Sequence, residues 1–139
     1  LNDKVVLISG DAENLNFSKN SFDLISIGFG VRNFQNLEKG ISESFRVLRN
    51  GGTLIILETS VPQNRFIKFF YLLFSRTFIP LVGSVFSKDK KAYKYLQKSA
   101  EEFPSGKKFG QILKSCGFNS VEILPLMLGA SSIYIAKKN

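Results

Sequence analysis

The chain reads as an α/β protein built on a mostly parallel sheet. Short continuous runs of β-branched and apolar residues, "KVVLISG", "SFDLISIGF" and "GGTLIILET", recur along its first part. Strands that are apolar along their whole length belong in sheets covered on both faces. An amphipathic stretch separates the second run from the third, which makes a strand, helix, strand unit. Two further β-rich runs then close the sequence as an antiparallel hairpin.

In chain order, Val5 to Ile8 is expected as a buried strand stopped by Gly10, and "SFDLISIGF" as a second. The polar "AENLNFSKN" between them is too short for a helical crossover. Asn36 can cap a helix over "LEKGISESFRVLRN", where Ile41, Phe45 and Leu48 recur at helical spacing and Gly51 supplies a left-handed stop. "GGTLIILET" is the third buried strand.

Residues 61–86 are crowded with phenylalanine. A membrane span needs about 20 predominantly apolar residues, and Lys68, Arg76 and Pro80 interrupt this stretch. It predicts an amphipathic helix followed by a segment broken at the proline. Asp89 can cap a helix through "KKAYKYLQKSAEEF", and "GKKFGQILKSC" makes a short helix closed by Gly117. "SVEILPLM" and "SSIYIAKK", joined through Leu128-Gly129-Ala130, form the hairpin. The whole is read as a single domain over residues 1–139, with an aromatic-rich insertion at about 61–104.

Composition narrows the chemistry. With 139 residues, 44% hydrophobic and 22% charged, the chain can bury a real core. Nineteen Lys and Arg against eleven Asp and Glu give a net charge of +8, which welcomes an anionic partner or is simply a solvated basic face. No RNA-binding or zinc-finger spacing accompanies the lysines, so nucleic acid is a minor reading. The lone Cys116 offers no internal disulfide, which fits a reducing cytoplasm. There is no histidine, so Ser-His-Asp and Cys-His nucleophiles and imidazole-based metal sites are excluded. No metal is expected.

In open α/β sheets, ligands bind outside the carboxyl ends of the strands. Three polar groups fall there: Asp11 after the first run, the Gly28 to Asn33 segment after the second, and Glu58 after the third. The Asp11 carboxylate can accept from an exocyclic adenine amine while the backbone N–H of Ala12 donates to a ring nitrogen. Taken alone, that tripeptide is more often a turn closed by an Asp side chain. Gly28 and Gly30 permit close backbone approach or merely unusual dihedrals. Arg32 can stabilise an oxyanion or sit in a salt bridge, and Asn33 can start a turn.

Taken together, "GDAENLNFSKNSFDLISIGFGVRNFQNLEKGISESFRVLRNGGTLIILE", "YKYLQKSAEEFP" and "GF" resemble the ubiquinone/menaquinone biosynthesis C-methyltransferases of the UbiE/MenG type. "FGVRN" and "YKYLQKS" followed by "FP" are specific to that family, whereas "FDLI" and "LRNGG" occur across S-adenosylmethionine-dependent methyltransferases. The resemblance implies a class I, Rossmann-like methyltransferase sheet with an antiparallel last strand. It further implies that an upstream strand with a Gly-rich loop and another ending in an acidic residue precede Leu1 in family members, so the chain reads as an N-terminally incomplete domain.

On that resemblance, Asp11 and Ala12 contact the adenine of S-adenosylmethionine. Gly28 stands where the family commonly has a cofactor-contacting serine, and Arg32 and Asn33 lie beside the quinol ring. The implied reaction is C-methylation of a prenylated quinol in menaquinone or ubiquinone biosynthesis. Arg32 would stabilise the phenolate and Asn33 would orient its oxygen. The expected setting is cytoplasmic and peripheral at an anionic membrane surface. "RFIKFFYLLFSRTFIPLVGSVF" falls after the third run at the ligand-binding rim and carries more aromatic surface than one short helix needs to bury, so it is read either as an ordinary core helix or as a wall that receives the prenyl tail, with Lys68, Arg76, Lys88, Lys90 and Lys91 available for headgroups. Self-association through exposed sheet surface is expected. The rival reading is a non-catalytic fragment that binds a lipid surface or a partner.

Overall fold

The computed structural model describes residues 5–86 and 90–139, with side chains described for 5–77 and 95–139. Four strands form one sheet in the order β1-β2-β4-β3, with β1 at Phe22–Gly28, β2 at Leu48–Thr59, β3 at Ser120–Leu126 and β4 at Ser131–Lys137. β1 runs parallel to β2, and β4 inserts antiparallel between β2 and β3. The hairpin and its antiparallel last strand are thus where the sequence placed them.

Helix α1, Leu37–Val47, starts at Asn36, whose side-chain oxygen accepts from the backbone N–H of Lys39 at 3.0 Å. This cap satisfies one of the donors a helix start leaves unpaired. The helix ends earlier than expected. Leu48 is already extended, because its side chain belongs to the buried face of β2. Gly51 does adopt a left-handed φ of +78°, but inside β2. Phe22 pairs with Leu48 and Leu24 with Thr53, so residues 49–52 bulge out opposite Asp23.

Ile41 of α1 and Phe109 and Leu113 of α4, Lys107–Ser115, pack with Leu54, Ile56, Tyr134 and Ala136 in one core on a single face of the sheet. Burying each such side chain is worth about 1.5–3 kcal/mol. Phe103, Phe109 and Tyr134 pack in sequence with ring centres 4.9 and 4.8 Å apart, the first pair tilted and the second edge-to-face. Gly117 closes α4 as expected, with φ +109°, and an added Cβ would meet the Phe45 ring at 2.9 Å.

Only one of the three described strand pairings is parallel, where a mostly parallel sheet was expected, and two further expectations about the sheet are corrected. First, Val5 to Ile8 is not a buried strand. These residues join no sheet and stand exposed, Leu7 at 94%. An apolar run specifies a need for burial but not a partner, and here no described strand supplies the hydrogen bonds. Second, the sheet is not covered on both faces by the described residues. Leu24, Ile55, Leu57, Ile133 and Ile135 share the face opposite the core and remain half-buried or exposed.

The aromatic stretch forms one helix, α2, Arg65–Phe86, which continues through Pro80 where a break was expected. Proline removes a single i→i−4 bond, and the neighbouring turns carry the helix past it. α3, Lys90–Glu102, packs with α2, and Arg76 forks onto Glu101 through Nε at 3.2 Å and Nη2 at 2.8 Å. The Asp89 cap and the side chains of Lys88, Lys90 and Lys91 lie outside the described residues. No described helix is long and apolar enough to cross a membrane.

Lys138 fastens α1 to the sheet. It is 8% exposed, and its Nζ donates to the carbonyls of Phe45 at 2.8 Å and Leu48 at 2.6 Å and to Asn20 Oδ1 at 3.1 Å. It also lies 4.5 Å from the centre of the Phe45 ring. A cation is favoured there because helix C-termini present unpaired carbonyls. Burial pushes its pKa down.

Candidate functional site

The loop carrying Asp11 and Ala12 is tied to both ends of α1. At the start, Glu13 Oε1 accepts from Asn36 N at 2.8 Å. Nearer the end, Glu43 Oε2 accepts from Leu15 N at 2.9 Å, while Arg46 donates to the carbonyls of Leu15 and Phe17 at 2.9 and 2.8 Å. Arg46 also forks onto Glu43, and that hydrogen bond holds the Glu43 carboxyl below the usual carboxylate range. Asp11 itself closes a turn, its Oδ1 accepting from Glu13 N at 2.9 Å. Oδ2 makes no hydrogen bond among the described residues.

Beyond β1 the backbone turns sharply. Phe29 has φ +52°, a left-handed conformation that is costly for a bulky residue, and its N–H donates to Leu57 O at 2.8 Å. Backbone outliers of this kind cluster at functional sites. Val31–Asn33 is one 3₁₀ turn, pinned by Val31, which is 1% exposed. An added Cβ on Gly28 would meet nothing within 4 Å, so this glycine faces open space and packing does not require it.

Arg32 is held from below. Its Nη1 donates to Glu58 Oε1 at 2.6 Å and to Phe29 O at 3.0 Å. Glu58 has no exposed surface, and the Arg32 side chain is 11% exposed. Glu58 Oε1 also accepts from Thr59 N and Thr59 Oγ1 at 2.7 and 3.1 Å. Arg32 Nε is buried with no partner among the described residues, an unmet donor at the rim.

Gly10, Asp11, Ala12, Glu13, Asn33, Phe34 and Gln35 line a cavity of about 320 Å³. The structure therefore brings Asp11, Ala12 and Asn33 together. Gly28 is not among the lining residues, and Arg32 points to Glu58. Asn33 has a further contact: its Oδ1 accepts from the hydroxyl of Tyr95 on α3 at 2.9 Å. Tyr95 and the anchoring role of Glu58 escaped the assignment from sequence. Their signals were the "YKYLQKS" motif and a carboxylate closing an apolar strand. Among the described residues no cluster of acidic or sulfur side chains can hold a metal ion.

Solved structures share this architecture. An S-adenosylmethionine-dependent methyltransferase of Thermotoga maritima superposes with a TM-score of 0.64 at 20% identity, covering 97% of this chain and 65% of that one. Another from Aquifex aeolicus gives 0.60 at 14% identity, covering 94% and 53%. The fold is that of the class I methyltransferases. A family model for the ubiE/COQ5 methyltransferase family matches residues 2–138, and the chain belongs to that family. The demethylmenaquinone methyltransferase of Bacteroides fragilis is 38% identical over 138 residues, which is 99% of this chain and 56% of that protein. That of Chlorobaculum tepidum is 40% identical over 134 residues, 96% and 55%. The mitochondrial 2-methoxy-6-polyprenyl-1,4-benzoquinol methylase of Oryza sativa is 39% identical over 131 residues, 94% and 45%. The chain thus spans about half the length of these relatives.

Proposed function

We propose that the protein serves S-adenosylmethionine-dependent C-methylation of a prenylated quinol ring. The observation that carries this reading is the single cavity lined by Asp11, Ala12 and Asn33. Its donor set fits an adenine. Asp11 keeps Oδ2 for an exocyclic amine, the Ala12 N–H serves a ring nitrogen, and Gly28 leaves the rim beyond β1 open to a close approach. When bound, S-adenosylmethionine supplies an activated methyl group, which makes a metal unnecessary.

The chain's own residues orient the acceptor. Arg32 is locked by Glu58, and its buried, unmet Nε would serve an electronegative oxygen once a small shift of the rim admits the acceptor. Neutralised in this way, it stabilises a phenolate by directed hydrogen bonds more than by net charge. Glu58 is fully buried and acts only through Arg32. Asn33 contacts the ring oxygen from the cavity side.

The exposed stripe of Phe66, Phe69, Phe70 and Phe74 on α2, with Phe66 at 80%, supports a surface that meets the prenyl tail at a membrane interface. Arg65, Phe66, Phe69 and Phe70 border a hollow of about 530 Å³ there, while Lys68 lines a separate cavity with Arg76 and Glu101. That surface would keep a cytoplasmic protein peripheral at an anionic bilayer.

The test is transfer of labelled methyl from S-adenosylmethionine to a prenylated quinol by the full-length gene product. Asp11→Ala should raise the cofactor KM about 10-fold, the loss of one charge-assisted hydrogen bond, with kcat little changed. No transfer to any quinol, alongside retained binding to anionic vesicles, would leave only the lipid-surface reading.

A further inference from the structure

The geometry points to Tyr95 as a positioning residue that sets which end of the Asn33 amide faces the acceptor ring. This rests on the role given to Asn33 in the methylation reading. The two residues are 62 positions apart, yet the Tyr95 hydroxyl donates to Asn33 Oδ1 at 2.9 Å. α3 and the 3₁₀ turn that carries Asn33 are packed against one another. An asparagine amide has two unlike ends, a carbonyl that only accepts and an NH2 that only donates.

With Oδ1 taken by Tyr95, the NH2 is the end left for a ligand in the cavity that Asn33 shares with Asp11 and Ala12. Nδ2 makes no hydrogen bond among the described residues. A quinol oxygen that gathers negative charge as the ring carbon becomes nucleophilic needs a donor. A carbonyl presented at the same place would repel it. Without Tyr95 the amide can turn over, and part of the population would present the wrong end. Tyr95 itself is 58% exposed, so it contributes little to the core, and exchanging it for phenylalanine removes one hydroxyl without opening a cavity.

The experiment uses the full-length gene product in four forms: native, Tyr95→Phe, Asn33→Ala and the double variant. Methyl transfer is followed with S-adenosylmethionine and a prenylated naphthoquinol. Tyr95→Phe should lower kcat about 3- to 10-fold, the factor set by one neutral hydrogen bond, and leave the cofactor KM and the melting temperature unchanged. In the Asn33→Ala background the same substitution should do nothing further, because the amide it orients is gone. Full kcat in Tyr95→Phe with a deficient Asn33→Ala overturns the role of Tyr95 alone. An equal further loss in the Asn33→Ala background overturns it too, since Tyr95 would then act without the amide. A rise in cofactor KM together with a lower melting temperature marks a structural tyrosine and likewise refutes the inference. If Asn33→Ala keeps native kcat, the failure lies in the underlying assignment of Asn33.

Discussion

Removing the guanidinium from Arg32 should cost more stability than any other single change at the rim. Glu58 has no exposed surface, and Arg32→Ala deletes its 2.6 Å charge-assisted partner while keeping the carboxylate in place. Breaking a buried pair by removing one member typically costs about 3–5 kcal/mol, because the survivor is left uncompensated. Three donors remain around Glu58, namely Thr59 N at 2.7 Å, Thr59 Oγ1 at 3.1 Å and Arg32 N at 3.4 Å. They place the expected loss near the low end, about 3 kcal/mol, or roughly 10 °C in melting temperature for a domain of this size. Urea denaturation followed by far-ultraviolet circular dichroism gives the number directly. Arg32→Met combined with Glu58→Leu should recover most of the loss, since an apolar pair of similar volume carries no stranded charge. A single-variant loss below about 1 kcal/mol, or a double variant as unstable as the sum of its parts, would refute the idea that the pair is buried and coupled.

Two further outcomes are expected. Replacing Phe66, Phe69 and Phe70 with serine in the full-length gene product should impair methylation of long-tailed quinols and binding to anionic vesicles while sparing tail-less analogues, because these rings are exposed; equal loss on both substrates with a lower melting temperature would show a packing role. Glu43→Gln should free the Asp11 loop, lowering amide-exchange protection at Leu15 by about 1 kcal/mol, since Leu15 N donates to this carboxylate. Acid should do the same to the native protein. Arg46 holds the Glu43 pKa below its ordinary value, so its contribution is present above about pH 4.3 and is lost as pH falls through the folded value.

The elements legible in the sequence are those with local signals. Asn36 marks the start of α1, Gly117 the end of α4, and the alternation around Leu128-Gly129-Ala130 the hairpin, because caps and turns depend on residues a few positions apart. Val5 to Ile8 shows the limit of that logic. Its pattern is that of a buried strand, yet pairing is a tertiary property and the described residues offer none. Gly51 is a subtler case: its left-handed conformation was readable, while the choice between stopping a helix and bulging a strand was made by the fit of Leu48 against the core. Asp11, Ala12 and Asn33 lie up to 22 positions apart in the sequence, and the fold brings them to one cavity. The Arg32 pairing with Glu58 spans 26 positions and the Tyr95 contact with Asn33 spans 62. Neither follows from periodicity.

Lys138 has a practical consequence. Amine-reactive reagents modify lysines whose nitrogen is accessible, and Lys19, Lys39, Lys68, Lys107, Lys108, Lys114 and Lys137 are all exposed. Lys138 keeps its nitrogen among two carbonyls, an amide oxygen and a phenyl ring. Its acylation therefore has to wait until the joint between α1 and β4 opens. The neighbouring Lys137 reports the intrinsic reaction rate one residue away. The ratio of the two, read by mass spectrometry over time, turns a covalent label into a clock for the opening of that joint.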